Sequence, residues 1–385
     1  LSPSATLAMS QKSSELKAQG VDVINLSVGE PDFNTPEPIK DAAKKAIDEN
    51  YSRYSPVAGY PALRNAIVAK LKNENGLEYT ANQISCANGA KQSVCNTIMV
   101  LVNPGDEVII PAPFWVSYPE MVKLAEGTPV IVAAGIEQDF KITPAQLETA
   151  ITPKTKALIL CSPSNPTGSV YSAEELAGLA EVLKKHPEII VIADEIYEHI
   201  NYIGKHNSIA QMDGMKDRTV IVNGVSKAYA MTGWRMGIAA GPIDVIFHMN
   251  KILQFTTMSA GTTSQYAAVE ALKNGDPDIE EMRTAYNQRR RFLMNAFREM
   301  GLECFEPYGA FYVFPCIKEF GMTSEEFATR FLEEEKVAAV PGTAFGDSGE
   351  GYLRISYAYS LEKLKIAIGR LGHFVEKLRA EQNNK

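Results

Sequence analysis

Short apolar runs alternate with helical patterns from about residue 40 to residue 285. That alternation narrows the fold most, because it admits a mainly parallel sheet covered by helices on both faces. Helix starts are well marked. Ser172-Ala173-Glu174-Glu175 and Thr323-Ser324-Glu325-Glu326 read as capping boxes, and Thr143-Pro144-Ala145-Gln146 puts proline at the first helical position. Pro104-Gly105-Asp106 marks a turn into an extended run from Glu107 to Ile110. After Pro277, the residues Ile279, Met282, Tyr286, Leu293 and Phe297 recur roughly on one face until Gly301, which predicts a long helix bridging two domains. Beyond it, Ala310 to Phe314 and Leu353 to Ser356 are strand-like. Leu364, Ile368, Leu371, Val375 and Leu378 predict a final helix.

Length and composition exclude more than they assign. With 385 residues, 45% of them apolar and 22% charged, the chain can bury the cores of two domains. A net charge of −8 without a basic stripe argues against nucleic acid as a partner. No apolar run approaches the roughly 18 residues needed to span a bilayer. Leu1 to Ser10 lack the charged-then-apolar order of a signal peptide, so a cytoplasmic protein is expected. The cysteines at 86, 95, 161, 304 and 316 match neither zinc spacing nor a disulfide framework. The five histidines are scattered too, and no metal site is expected.

Four segments carry chemistry. Lys227 lies among small residues in Gly224-Val225-Ser226-Lys227-Ala228-Tyr229-Ala230-Met231-Thr232-Gly233-Trp234-Arg235-Met236-Gly237. Such packing suits a buried amine. Desolvation and the neighbouring cation Arg235 favour the neutral form of a group whose ordinary pKa is about 10.4. A neutral lysine can form a Schiff base; the competing account is a surface lysine in a glycine-rich loop. Val191-Ile192-Ala193-Asp194-Glu195-Ile196-Tyr197 reads as a buried parallel strand ending on an acid, where open α/β sheets bind their ligands. Asp194 there is either placed to meet a ligand cation or a helix N-cap. Ile84-Ser85-Cys86-Ala87-Asn88-Gly89-Ala90-Lys91-Gln92 passes from a strand through a turn into a helix running to Leu101, whose free amides can bind phosphate. Ser162-Pro163-Ser164-Asn165-Pro166-Thr167-Gly168 follows the apolar strand Ala157 to Leu160, and its prolines fix an extended turn able to aim the Asn165 amide. A generic polar loop is the alternative. Together these segments make a pyridoxal phosphate site; no single one would suffice.

Here the chain resembles the class I and II aminotransferases of fold type I, and most closely the Thermus-like subgroup of bacterial aspartate aminotransferases. Further landmarks of the resemblance, in order along nearly the whole chain, are Ser27-Val28-Gly29-Glu30-Pro31-Asp32-Phe33, Arg53-Tyr54-Ser55-Pro56, Trp115-Val116-Ser117-Tyr118-Pro119 and Arg354-Ile355-Ser356-Tyr357-Ala358. It implies an α/β fold: a large domain, residues 40–285, with a mainly parallel sheet between helices, and a smaller discontinuous α+β domain, residues 1–39 with 286–385. It also implies pyridoxal 5′-phosphate held by Lys227, which then serves as general base. Asp194 would pair with the pyridine nitrogen, making the ring an electron sink. Tyr197 and Asn165 would hydrogen-bond its phenolic oxygen, and Trp115 would stack on its face. Gly89, Ala90 and Arg235 would bind the phosphate, with Tyr54 reaching it from the neighbouring subunit of a homodimer that shares its active sites.

Arg354, beside Gly29, would clamp the substrate's α-carboxylate with two parallel donors; a surface ion pair is the competing account. Lys91 stands where distant relatives carry a small hydroxyl residue. It would meet a second substrate carboxylate, or else serve the phosphate as a counter-ion. Ser259, and Ser4 or Thr6, would add hydroxyl donors. Gly224 departs from the hydroxyl residue that many relatives place three positions before the lysine, so one phosphate ligand is missing or replaced by Ser226. The function expected is transfer of the amino group of L-aspartate to 2-oxoglutarate by a ping-pong route through the pyridoxamine form of the cofactor. Prephenate, aromatic or other amino-acid transamination and a β-lyase are the alternatives on the same scaffold, because one or two pocket residues set specificity. A non-catalytic cofactor-binding regulator is the alternative from another class, although no basic helix-turn-helix segment precedes the site.

Overall fold

The computed structural model describes residues 1–384. Its strands are, in chain order, β1 (Ile24–Asn25), β2 (Ile84–Ala87), β3 (Glu107–Ala112), β4 (Thr128–Ala133), β5 (Thr155–Cys161), β6 (Ile190–Asp194), β7 (Thr219–Gly224), β8 (Gly237–Ala240), β9 (Tyr312–Val313), β10 (Val337–Ala338), β11 (Val340–Pro341) and β12 (Leu353–Ser356). A seven-stranded sheet has the order β2-β8-β7-β6-β5-β3-β4. From β7 to β4 all neighbours are parallel, whereas β8 runs antiparallel to both β7 and β2. Central strands buried on both faces need near-continuous apolar runs, and β5 to β7 have them. Helices cover the sheet on two sides. One layer joins Ile39, Ile67 and Ala268 to Ile221 and Ile238; the other joins Val94, Ile98, Tyr118 and Ile246 to Val220, Val222 and Ala239.

Outside the seven-stranded sheet, residues near the two chain ends share a hydrophobic cluster that includes Leu26, Phe297, Phe331 and Leu371. β1 pairs in parallel with β10, and β9, β12 and β11 form a small antiparallel sheet. The strand expected over Ala310–Phe314 is only two residues long there, since the backbone turns at Ala310 with φ +58°. The helix expected after Pro277 runs Asp276–Met300 and ends on Gly301 with φ +67°, a left-handed conformation that glycine adopts without steric cost. All five residues assigned to its apolar face are buried. The final helix, Leu361–Asn383, buries Leu364, Ile368, Leu371, Val375 and Leu378 as the sequence periodicity predicts. The capping boxes at Ser172 and Thr323 are formed, and Thr143 caps its helix with a third. Among the described residues no helix is long and apolar enough to cross a membrane.

One buried ion pair was not apparent in the sequence. Lys70, on the helix Pro61–Asn75, donates to Glu198 in the turn after β6. Asn223 Nδ2, at the end of β7, reaches the other carboxylate oxygen at 2.6 Å. The pair thus fastens two strand ends to a covering helix. Glu74 and His199 converge on the same place, and the Lys70 ammonium already supplies the cation there. Burial disfavours the Glu198 carboxylate, yet Lys70, His199 and His206 outweigh it and hold its pKa down to about 2. A depressed carboxyl pKa stabilises the fold above the ordinary value of 4.5 and loses that contribution as pH falls towards 2. Removing one partner strands a buried charge, so Glu198→Ala should cost about 3–5 kcal/mol. The urea midpoint measures this; a loss below about 1 kcal/mol would show the pair to be energetically idle.

Candidate active site

Three strand ends lie in register and form the floor of the site. Cys161 pairs with Asp194 across β5 and β6, and Asp194 with Val222 across β6 and β7. β5 and β6 therefore deliver their last side chains, Cys161 and Asp194, to one cavity of about 310 Å³. Gly29, Ala90, Lys91, Trp115, Asn165, Asp194, Tyr197, Lys227, Arg235 and Arg354 all line it. So do Ser4, Thr6 and Ser226, whereas Gly89, Ser259 and Tyr54 do not; Tyr54 is 86% exposed.

Lys227 points its amine at the Gly29 carbonyl, 2.5 Å away. Burial is the largest influence on it and lowers its pKa to about 8; the Arg354 guanidinium adds to the depression, Glu30 opposes it, and Arg235 contributes less than Arg354. The sequence singles out Arg235 as the neighbouring cation, and the structure gives the larger share to Arg354. Long-range packing, which brings β12 beside the loop after β7, is the reason. Asp194 is buried, and desolvation pushes its pKa up against the bond from Tyr118 and the amide of Ile196. Tyr118 Oη donates to Asp194 Oδ2 at 2.5 Å, and the Ile196 N–H reaches Oδ1 at 3.3 Å. Asp194 faces the cavity, and it caps a turn rather than a helix, because no helix starts directly after β6.

Arg354 is not a surface ion pair. It is 2% exposed, and its donors reach Asn165 Oδ1 at 2.9 Å and the Ser27 carbonyl at 2.6 Å. Its Nε has no partner, and among the described residues no acid pairs with it. The guanidinium lies over the Tyr312 ring at 4.5 Å and the Phe345 ring at 5.0 Å. A buried cation without a counter-charge is costly unless a ligand anion completes it.

At the other end of the cavity the helix Ala90–Leu101 starts on Gly89, leaving the amides of Ala90 and Lys91 without an intrahelical acceptor. Gly89 has φ +85°, and a Cβ there would sit 2.1 Å from Arg235 Nη2, so only glycine lets the guanidinium close over the helix start. Lys91 extends over Trp115, with Nζ 5.0 Å from the ring centroid, and burial followed by Arg235 lowers its pKa. The unexpected Gly224 has a steric cause. A Cβ at that position would stand 2.7 Å from the Met236 carbonyl across β7 and β8, which leaves Ser226 as the nearby hydroxyl lining the cavity.

Two side chains that line the cavity were not singled out from the sequence. Tyr118 lies in the quoted Trp115–Pro119 landmark, in the first turn of the helix Ser117–Leu124. Tyr312, whose hydroxyl meets that of Tyr197 at 2.7 Å, sits in an apolar stretch indistinguishable from core.

Comparison with known proteins agrees with this geometry. Residues 21–371 match the family described as aminotransferase class I and II. An aspartate aminotransferase of Geobacillus stearothermophilus is 48% identical over 98% of this chain and 97% of its own. An aspartate/prephenate aminotransferase of Cereibacter sphaeroides is 49% identical over 97% of this chain and 96% of its own. The solved structure of aspartate aminotransferase from Thermus thermophilus with maleate superposes with a TM-score of 0.94 at 42% identity, covering 97% of each chain. With a family match over nearly the whole chain and a half-buried lysine, a buried aspartate and a buried arginine converging on one cavity, the chain belongs to the class I and II aminotransferases.

Proposed function

We propose that this aminotransferase binds pyridoxal 5′-phosphate in the cavity beside Lys227 and passes the amino group of L-aspartate to 2-oxoglutarate in a ping-pong cycle. The observation that carries the reading is the pairing, in one cavity, of an amine with its pKa lowered to about 8 and a buried guanidinium whose Nε lacks a partner. The donor set suits the cofactor. Lys227 offers the amine for its aldehyde, Asp194 a buried carboxylate for its ring nitrogen, and Trp115 a flat face. Tyr197 and the Asn165 amide nitrogen, left free because Oδ1 serves Arg354, are donors for its phenolic oxygen. Arg235 and the first helix amides after Gly89 fit its phosphate. When bound, the cofactor supplies an electron sink for the charge left as the α-proton departs.

The chain's own residues do the rest. Lys227 takes the proton from the substrate's α-carbon and would return it to the cofactor's C4′, two bonds away, a role that needs an amine neutral near pH 7. Arg354 fixes the α-carboxylate and with it the direction of the breaking C–H bond. Lys91 meets the distal carboxylate, held at the cavity wall by Trp115, with Ser4 and Thr6 nearby. Tyr54, so exposed in one chain, reaches the phosphate of the partner subunit, so a homodimer is required. Movement of a small domain (1–39 with 286–385) over a large one (40–285) excludes water around the doubly charged substrate. The five free cysteines fit a reducing, cytoplasmic setting.

A kinetic panel of aspartate, glutamate, alanine, phenylalanine and prephenate tests the substrate. The highest kcat/KM is expected for aspartate; a clear preference for aromatic or neutral substrates would overturn the assignment. The relative named for aspartate and prephenate motivates the last member of the panel. Lys91→Ala is expected to lower kcat/KM for aspartate about 10- to 100-fold, the worth of one charge-assisted hydrogen bond, with alanine unaffected. Equal losses for both would place Lys91 on the phosphate instead.

A further inference from the structure

Tyr312 is joined to three parts of the site at once. It opens β9 and pairs with Ser356 of β12, the strand that carries Arg354, so its ring lies against the guanidinium at 4.5 Å. Its hydroxyl is 2.7 Å from Tyr197 Oη. It also presses on Gly29, the residue whose carbonyl accepts from Lys227: a Cβ at Gly29 would stand 2.2 Å from Tyr312 Oη. Both phenols are buried, and burial first of all raises their pKa values, so both stay protonated.

Proton counting then gives the pair a direction. Each hydroxyl has one hydrogen, and only one of the two can donate across the Tyr197–Tyr312 contact. If Tyr197 spent its hydrogen on Tyr312, it would have none for a ligand anion in the cavity. We propose that Tyr312 is a positioning residue: its hydroxyl donates to Tyr197 Oη, which turns the Tyr197 proton into the cavity, while its ring supports the guanidinium of Arg354. A donor feeding a donor strengthens the second bond, because each hydrogen bond polarises the next. Tyr312 thereby links the α-carboxylate clamp to the residue that stabilises the cofactor's phenolic oxygen. The inference rests on the cofactor placement proposed above.

The test is a pH titration of the visible absorbance of the cofactor-loaded enzyme, beside KM for aspartate. Weaker stabilisation of the phenolic anion raises the proton affinity of the nitrogen joined to the cofactor. Tyr312→Phe keeps the ring and loses the hydroxyl, so the spectroscopic pKa is expected to rise by about half a unit or more, with KM within about twofold of the native value. Tyr312→Leu loses both, and KM should also rise about 3- to 30-fold with the lost cation–π contact. Gly29→Ala retains every phenol but puts a methyl group where the Tyr312 hydroxyl stands, and should shift the spectroscopic pKa in the same direction. Tyr197→Phe is the control. If it moves the titration and Tyr312→Phe does not, the relay is overturned and the cofactor placement stands. If Tyr197→Phe also leaves the titration unchanged, the cofactor placement itself is wrong and the relay falls with it.

Discussion

Replacing Lys227 with alanine is expected to leave a folded chain that binds pyridoxal 5′-phosphate without a covalent link and turns over at least about 10⁴-fold more slowly. The expected loss is large because the proposed mechanism gives one amine two jobs, nucleophile towards the cofactor and carrier of the α-proton. The fold should tolerate the change, since the amine makes a single hydrogen bond, to the Gly29 carbonyl, and burial disfavours its charged form. The value of that burial can be put on a scale. With a pKa of about 8, about one amine in ten is neutral at pH 7, against about one in three thousand at the ordinary 10.5. Loading of the apo chain with pyridoxal phosphate should therefore quicken about tenfold per pH unit below pH 8 and level off above it. Borohydride reduction followed by peptide mapping must find the label on residue 227. A label elsewhere, or a loading rate flat from pH 6 to 9, would remove the lysine from its assigned role.

Much of this site was legible because its parts sit at places that local sequence rules can find. An apolar run closing on an acid marks Asp194 at a strand end, and a strand that breaks at Gly89 before a helical pattern marks a helix start with free amides. Arg354 came from the family resemblance, and its place between Leu353 and Ile355 in a strand-like stretch favoured a directed role over a surface ion pair. What stayed hidden depends on pairs of residues far apart in the chain. Tyr312 reads as one more aromatic in Ala310-Phe311-Tyr312-Val313-Phe314, and nothing local tells that its hydroxyl meets Tyr197. Lys70 reads as a solvated helix position until the fold brings Glu198 against it. Strand order is hidden for the same reason: the pattern gives apolar runs, but not that β8 lies antiparallel between β2 and β7. The share of the Lys227 shift that belongs to Arg354 follows only from the long-range packing that sets β12 beside the loop after β7 at one cavity.

That shared cavity makes Arg354 the second decisive position. Arg354→Ala is expected to lower kcat/KM for every amino-acid substrate by about 10²- to 10⁴-fold, since two charge-assisted bonds to the α-carboxylate are worth about 3–6 kcal/mol together. The loss should be equal for aspartate and alanine, in contrast with Lys91→Ala, because every amino acid carries the α-carboxylate. Arg354→Lys should recover little of it, for an ammonium keeps the charge without the two parallel donors. Stability is not the cause to expect: the guanidinium has no acidic partner to strand, only Asn165 and the Ser27 carbonyl as acceptors. A second readout needs no substrate at all. Arg354 is the largest cationic influence lowering the pKa of Lys227, so its removal should raise that pKa above about 8 and shift the pH profile of cofactor loading upward. Were KM for aspartate and alanine unchanged and the loading profile unmoved, the guanidinium would be a core fixture and the α-carboxylate would have to bind elsewhere.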